Sequence, residues 1–342
     1  MANLNPHDIV FLDSLEFKGF KEKIESQYGF EIISTDLPKI ISFTSKKLVL
    51  HTSKGDFFLK EKPQYCSDGV ALKRSADFQD YTSLRLKIVP KILLTTEQNH
   101  YIVWNGRYYF LTEYKNGRHY NGLQSDLKEI TEALYLFQQC GITYLKEYKN
   151  VRQKELTQFE SLDIASSIPD LKSRVKTSDD EDVLQEIILL YDNLCNEYAK
   201  IPKDNYIMSH SDFIIFNLIL DKSGVIAIND FDNVKVLPRI HDMAEFLVSA
   251  SLLNYNAPLT NLKLPVQAVP NLLTFNYIMN HYIQKYDLSN DEIDLLGSVS
   301  EIVWLWTLAL SVFKDDYSIS DLKPALNSLR SREVEKIIRT FK

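Results

Sequence analysis

Ser209-His210-Ser211-Asp212-Phe213-Ile214-Ile215-Phe216-Asn217-Leu218-Ile219-Leu220, closed by Ile228-Asn229-Asp230-Phe231-Asp232, is the stretch that decides how this chain reads. It holds a loop, a short apolar strand (Asn217 to Leu220), a turn (Asp221-Lys222-Ser223-Gly224) and a second apolar strand (Val225 to Ile228). Asp-x-Ser-Gly between two β-rich runs is a hairpin signal, because Gly supplies φ > 0 and Asp bonds its own backbone. Such a hairpin sets Asn217, at the start of one strand, beside Asp230, at the end of the other. Asp212 precedes Asn217 by five residues, on the loop leading into the same corner.

One amide and two carboxylates in that order suit phosphoryl transfer. A carboxylate orients an acceptor hydroxyl and takes its proton, while an amide and a second carboxylate hold magnesium on nucleotide phosphates. The wording HSDFIIFN followed by NDFD resembles the catalytic loop and metal motif of the aminoglycoside phosphotransferase and choline kinase superfamily, usually H-G-D-x-x-x-x-N with I-D-[FW]. The resemblance implies Asp212 as catalytic base, Asn217 and Asp230 as Mg²⁺ ligands, and His210 as a brace for the loop. Three positions depart from the pattern: Ser211 replaces the usual Gly, Asn229 the usual Ile, and Ile214-Ile215 the frequent His-Pro. None of them removes a ligand.

The bulk numbers fit that reading. A chain of 342 residues suits two lobes, and 45% hydrophobic with 25% charged residues is ordinary globular composition. A formal charge of −7 argues against a nucleic-acid partner. Cys66, Cys140 and Cys195 are odd in number and lack metal-ligand spacing, as expected of reduced thiols. The start of the chain has no basic region leading into an apolar run, and no stretch reaches about 18 uninterrupted apolar residues. The expectation is a soluble cytoplasmic protein with no membrane partner.

Residues 3–30 carry Ile9, Leu12, Leu15 and Phe20 near helical spacing and predict a helical lead-in. Lys39–Phe43, Lys47–Thr52 and Asp56–Lys60 predict strands, the last two joined at Ser53-Lys54-Gly55. Phe-Phe-Leu-Lys60 resembles the third strand of a kinase small lobe, which implies Lys60 as the lysine on the α- and β-phosphates. No G-x-G-x-x-G precedes it. The helix expected over 69–87 would supply the acid for Lys60. It contains no glutamate, so the candidates are Asp77 and Asp80, with Asp80 favoured for its place in the amphipathic run. Ile88–Thr95 and Tyr101–Tyr114 predict the next strands, the latter bent at the hairpin dipeptide Asn105-Gly106. Tyr109–Arg118 resembles the kinase hinge, which implies adenine contact around Glu113 and Tyr114. The wording YYFLTEYKNGR, with VPKILLT before it, looks close to the spore-coat-associated CotS branch.

Leu127, Ile130, Leu134 and Phe137 mark a helix, and Val183–Tyr198 another. The charged run at 149–154 and Asp179–Asp182 read as solvated face or loop. Pro238–Ala244 resembles the superfamily's D-P-x-x-D-[LM]-A segment, which implies that Asp242 caps a helix and bonds the catalytic loop; His241 reads as structural. The aromatics of 266–342 (Phe275, Tyr277, Tyr282, Tyr286, Trp304, Trp306, Phe313) read mainly as core, and Leu322–Lys342 as an amphipathic surface helix.

The expected architecture is therefore α+β: a bilobal, protein-kinase-like fold with an antiparallel small lobe over 1–114 and a mainly helical lobe over 115–342. The expected function is ATP- and Mg-dependent phosphorylation of a small-molecule hydroxyl, with the acceptor (amino sugar, choline-like or amino-acid alcohol) open. A kinase-shaped spore-coat assembly protein is the alternative. A protein kinase is disfavoured, because no Ala-Pro-Glu signal follows Asp232.

Overall fold

The computed structural model describes residues 15–38, 46–63, 69–150, 164–252, 271–286, 288–313 and 318–341. The expected strand Lys39–Phe43, Cys66, residues 151–154 of the charged run and the front of the lead-in helix lie outside them. The chain divides into two compact units. The first takes the described residues up to His119 together with Asn217–Val234; the second takes Tyr120–Phe216 and the described residues from Lys235 onward. The segment Asn217–Val234, which falls beyond the 114/115 boundary in the sequence, packs with the first unit.

In the first unit, helix α1 (Leu15–Tyr28) brings Phe20, Ile24 and Tyr28 to one face by their four-residue spacing. That face covers an antiparallel sheet of β1 (Ile32–Asp36), β2 (Lys47–Thr52), β3 (Gly55–Glu61), β4 (Tyr101–Trp104) and β5 (Arg107–Glu113), in the order β1-β2-β3-β5-β4. Strand alternation sends Leu48, Leu50, Leu59, Tyr109 and Leu111 into the cluster with α1. Phe110 faces the other way, into a cluster with Leu72 and Ala76 of helix α2 (Gly69–Ser83). Burying each such large side chain contributes about 1.5–3 kcal/mol.

Asn105 (φ 48°) and Gly106 (φ 72°) both take the left-handed region, as the predicted two-residue turn requires. Three expectations need correction. Strand β1 lies where none was foreseen. Helix α2 ends at Ser83, short of residue 87. Ile88–Thr95 is not a strand: Pro90 has no N–H to donate, and Ile92 makes only an isolated bridge to Thr112.

The second unit is mainly helical: α3 (Gln124–Glu147), α4 (Ile164–Ser173), α5 (Ser178–Tyr198), α6 (Ile240–Leu252), α7 (Leu272–Lys285), α8 (Asn290–Phe313), α9 (Lys323–Arg330) and α10 (Glu333–Arg339). A two-stranded sheet joins β6 (Tyr206–Ser209) to β9 (Lys235–Pro238). Helix α3 lies so close on β6 that a Cβ at Gly141 would clash with the Met208 carbonyl oxygen. Asp179–Asp182 opens α5, with Asp179, Glu181 and Asp182 exposed as a solvated face should be and Asp180 the exception. Asp180 is buried, and its carboxylate and the Thr177 hydroxyl exchange backbone N–H bonds in a capping box. The closing run is two helices, broken at Arg332, which is left-handed at φ 54°. Phe275, Tyr282 and Trp304 are core residues. No helix among the described residues is long and apolar enough to cross a membrane.

Candidate functional site

The predicted hairpin forms in the first unit as β7 (Leu218–Asp221) and β8 (Gly224–Ile228). Asp221 pairs with Gly224, leaving Lys222-Ser223 as the turn. The Asp221 carboxylate accepts the Ser223 N–H at 2.7 Å, and Gly224 takes φ 110°. At the open end, Leu218 pairs with Ile228 and the Asn229 N–H donates to the Asn217 carbonyl at 2.8 Å. Asn217 and Asp230 therefore emerge from the same end of one hairpin.

Asp230 is left-handed (φ 72°, ψ 61°), a conformation that Asp tolerates better than most residues. A short 3₁₀ turn follows, over Phe231–Asn233. Phe231 is buried with its ring 6.3 Å from that of Phe78, and its carbonyl accepts from Ser75 Oγ at 2.7 Å. Both partners lie on α2, so that helix fixes the residues on either side of Phe231.

What the two aspartates meet is set by strand register. Thr52 pairs with Gly55, so counting back places Lys47 opposite Lys60, and Lys60 opposite Phe110. Residues opposite one another share a face, which sends both lysines to the α2 side of the sheet. Lys60 bridges Asp230 and Asp232. Lys47 Nζ lies 3.4 Å from Asp230 Oδ2. Lys62 Nζ donates to Asp232 Oδ1 at 2.6 Å and to Ser75 Oγ at 3.2 Å, and stands 4.2 Å from the centre of the Phe110 ring. Burial by itself would raise the Asp230 carboxyl, but Lys60 and Lys47 outweigh it and hold the group well below its usual range. Burial would likewise lower Lys60, yet the two aspartates keep it above the ordinary lysine value.

Lys47, Lys62 and Asp232 were not singled out from sequence. Counting outward from the Ser53-Lys54 turn would have found Lys47, and the two-residue strand period would have found Lys62.

Asp80 is a correction. It does not meet Lys60; its Oδ2 lies 2.6 Å from His100 Nε2, and Asp77 pairs with Lys73 at 2.9 Å. The helix face turned to the hairpin is the one with Ser75 and Phe78, and neither aspartate lies on it. Glu113 and Tyr114 sit at the end of β5, where the Glu113 N–H donates to the Lys91 carbonyl and the Tyr114 N–H to the Asp56 carbonyl. Those two donors are thus committed within the protein, and Glu113 also pairs with Lys115 at 3.1 Å.

In the second unit, β6 leads into the loop His210–Ile215. Helix α6 carries Asp242, Glu245 and Ser249, whose i, i+3, i+7 spacing puts them on one face. Each holds part of the loop. Asp242 accepts the N–H of His210 at 3.0 Å and of Ser211 at 2.9 Å; Glu245 accepts that of Phe213 at 2.7 Å; Ser249 Oγ accepts that of Ile215 at 3.3 Å. His210 is buried, edge-on to Phe137 and Phe213 at 5.6 and 6.1 Å. Ser211 is left-handed at φ 59°, which gives a physical reason for the glycine usual at that position. Asp212 is half-buried, and its carbonyl accepts the Ile214 N–H at 2.9 Å.

Among the described residues no group of three or more His, Cys, Asp or Glu could hold a metal ion. Asn217 and Asp230 offer two hard oxygen donors. That set suits magnesium, which keeps several waters and is completed by substrate phosphates, and does not suit a closed zinc site.

No family model matches the chain, and no curated protein does. Solved structures match along nearly its full length. An amicoumacin kinase, hAmiN, in complex with AMP-PNP, Ca²⁺ and Ami, is 14% identical at a TM-score of 0.65, covering 96% of each chain. A microcompartment-associated aminopropanol kinase is 14% identical at 0.62, covering 93% of this chain and 99% of the other. Choline kinase LicA from Streptococcus pneumoniae is 14% identical at 0.55, covering 93% and 100%. The chain has the kinase-like fold that these proteins share.

Proposed function

We propose that the chain is an ATP- and Mg²⁺-dependent phosphotransferase acting on the hydroxyl of a small molecule such as an amino sugar, a choline-like alcohol or an amino-acid alcohol. The observation that carries the reading is the hairpin-borne Asp230, left-handed and paired to the strand lysine Lys60, within a kinase-like fold. Asn217 and Asp230 would hold the magnesium, which when bound neutralises charge on the β- and γ-phosphates. Lys60 would bind phosphate oxygens through its ammonium group. Asp212 would orient the acceptor hydroxyl and take its proton as the oxygen–phosphorus bond forms and the bond from the γ-phosphorus to ADP breaks. Asp242, Glu245 and Ser249 would keep that loop in one conformation.

The scaffold alternative drew on the lack of a helix acid for Lys60; Asp232 supplies a second acid to it, which weakens that alternative. The wording YYFLTEYKNGR is what supports an affiliation with the CotS branch. The test is ADP release from ATP and Mg²⁺ across a panel of amino sugars and amino alcohols. Acceptor-dependent release, lowered by about 100-fold or more in both Asp212→Ala and Asp230→Ala with the fold intact, supports the reading. Equal release by wild type and both variants refutes it.

A further inference from the structure

Two lysines face each other across β2 and β3, a placement that ordinarily costs stability. Lys47 and Lys60 are directly paired in the register, so their side chains leave the sheet on the same face, and like charges so placed repel. Both are largely buried, with side chains 15% and 10% exposed. The hairpin delivers Asp230 between them, but the sharing is unequal. Among the described residues Lys60 bridges two carboxylates, whereas Lys47 meets one, Asp230, at 3.4 Å. Lys62 completes the group on Asp232, so among the described residues three ammonium groups meet two carboxylates. Of the three, Lys47 is the least compensated.

A surplus of buried positive charge calls for an anion. The proposed magnesium site uses the same Asp230 carboxylate on which both lysines rest, so a cation there competes with Lys47 for its Asp230 contact and leaves Lys60 with Asp232, and other oxygens must make up the loss. A polyphosphate chain offers several such oxygens. Lys47 also opens β2 in a chain that has no glycine-rich loop to cover phosphates.

We infer that Lys47 is a second phosphate-binding residue, acting with Lys60 on the polyphosphate of the nucleotide. The inference rests on the proposed phosphotransferase reading and deepens it. It assigns to this chain two strand-borne ammonium groups where the kinase pattern implies one.

Calorimetric titration tests it, using AMP-PNP and adenosine with Mg²⁺ on wild type, Lys47→Met and Lys60→Met. Lys47→Met is expected to weaken AMP-PNP by roughly 10- to 100-fold, the size of a lost charge-assisted hydrogen bond, and to leave adenosine unchanged. Its dependence on salt should be shallower than that of wild type, and its thermal midpoint no lower, since a like-charge neighbour of Lys60 is gone. Lys47→Gln replaces it should the methionine variant fail to fold. AMP-PNP binding unchanged in Lys47→Met but lost in Lys60→Met overturns the role of Lys47 and leaves the phosphotransferase reading standing. No AMP-PNP binding by wild type overturns both.

Discussion

Glu245 accepts the backbone N–H of Phe213 at 2.7 Å, immediately after Asp212, and its other oxygen lies 3.2 Å from His241 Nε2. Burial pushes the Glu245 carboxyl up to about 8 and that of Asp242 up to about 7, with the Glu245 charge adding to the rise at Asp242. Burial lowers His241 to about 4, against the pull of Asp242 and with the push of Lys235; Tyr198 also faces both acids. At neutral pH a protonated Glu245 donates to Nε2 of a neutral imidazole, which puts the ring proton on His241 Nδ1, a buried atom with no hydrogen-bond partner among the described residues. Two acids that hold protons longer folded than unfolded stabilise the fold below the ordinary carboxylate range, and that contribution is lost as pH rises toward 8. His241 acts oppositely: its contribution is present above about 6.5 and lost as pH falls toward 4. Glu245→Gln keeps an acceptor for Phe213 and a donor for His241 without titrating. Its urea midpoint should therefore fall less between pH 6 and pH 9 than that of wild type. Parallel curves would contradict the assignment.

Ser211 holds φ 59° while its N–H is tied to Asp242. The left-handed conformation costs a residue with a side chain about 1–2 kcal/mol, and glycine gives back part of the difference through a freer unfolded chain. Ser211→Gly should raise unfolding stability by about 0.5–1 kcal/mol in urea titration. A loss of stability would show that the Ser211 side chain holds the loop.

Asp80 belongs to His100, not to Lys60. Asp80→Asn should leave AMP-PNP affinity within about twofold of wild type, as expected of a site with no shared partners. It should also return the His100 imidazole, which the Asp80 hydrogen bond now raises, toward its ordinary range of about 6.5, readable by NMR titration. A large loss of nucleotide affinity would instead place Asp80 in the nucleotide site.

The parts of the fold that were legible in the sequence were those set by local chemistry. Asp221 and Gly224 announce the hairpin, Asn105-Gly106 the second turn, and the apolar periodicity of α3 and α5 their helices, because each signal is complete within a few residues. Which face of α2 meets the hairpin is decided by packing: Ser75 and Phe78 point there and Asp80 does not, a distinction that helical period alone does not make. Ile88–Thr95 carries strand-like residues but lacks a ladder donor at Pro90. The polar alternation of β1 (Ile-Ile-Ser-Thr-Asp) is too brief to register as a strand. Within the solvated run Asp179–Asp182 the burial of Asp180 was not legible, because its capping depends on Thr177 before it and on Ser320, far along the chain. Lys47 was concealed only by the need to pair two strands before asking which residues face each other.

The measurement closest to the central claim is AMP-PNP binding with and without Mg²⁺, by wild type and by Asp230→Asn. If Asp230 grips the ion that the triphosphate carries, Mg²⁺ should tighten binding to wild type by about tenfold or more, and the variant should show no such gain. An equal gain from Mg²⁺ in both proteins, or none in wild type, would contradict the account.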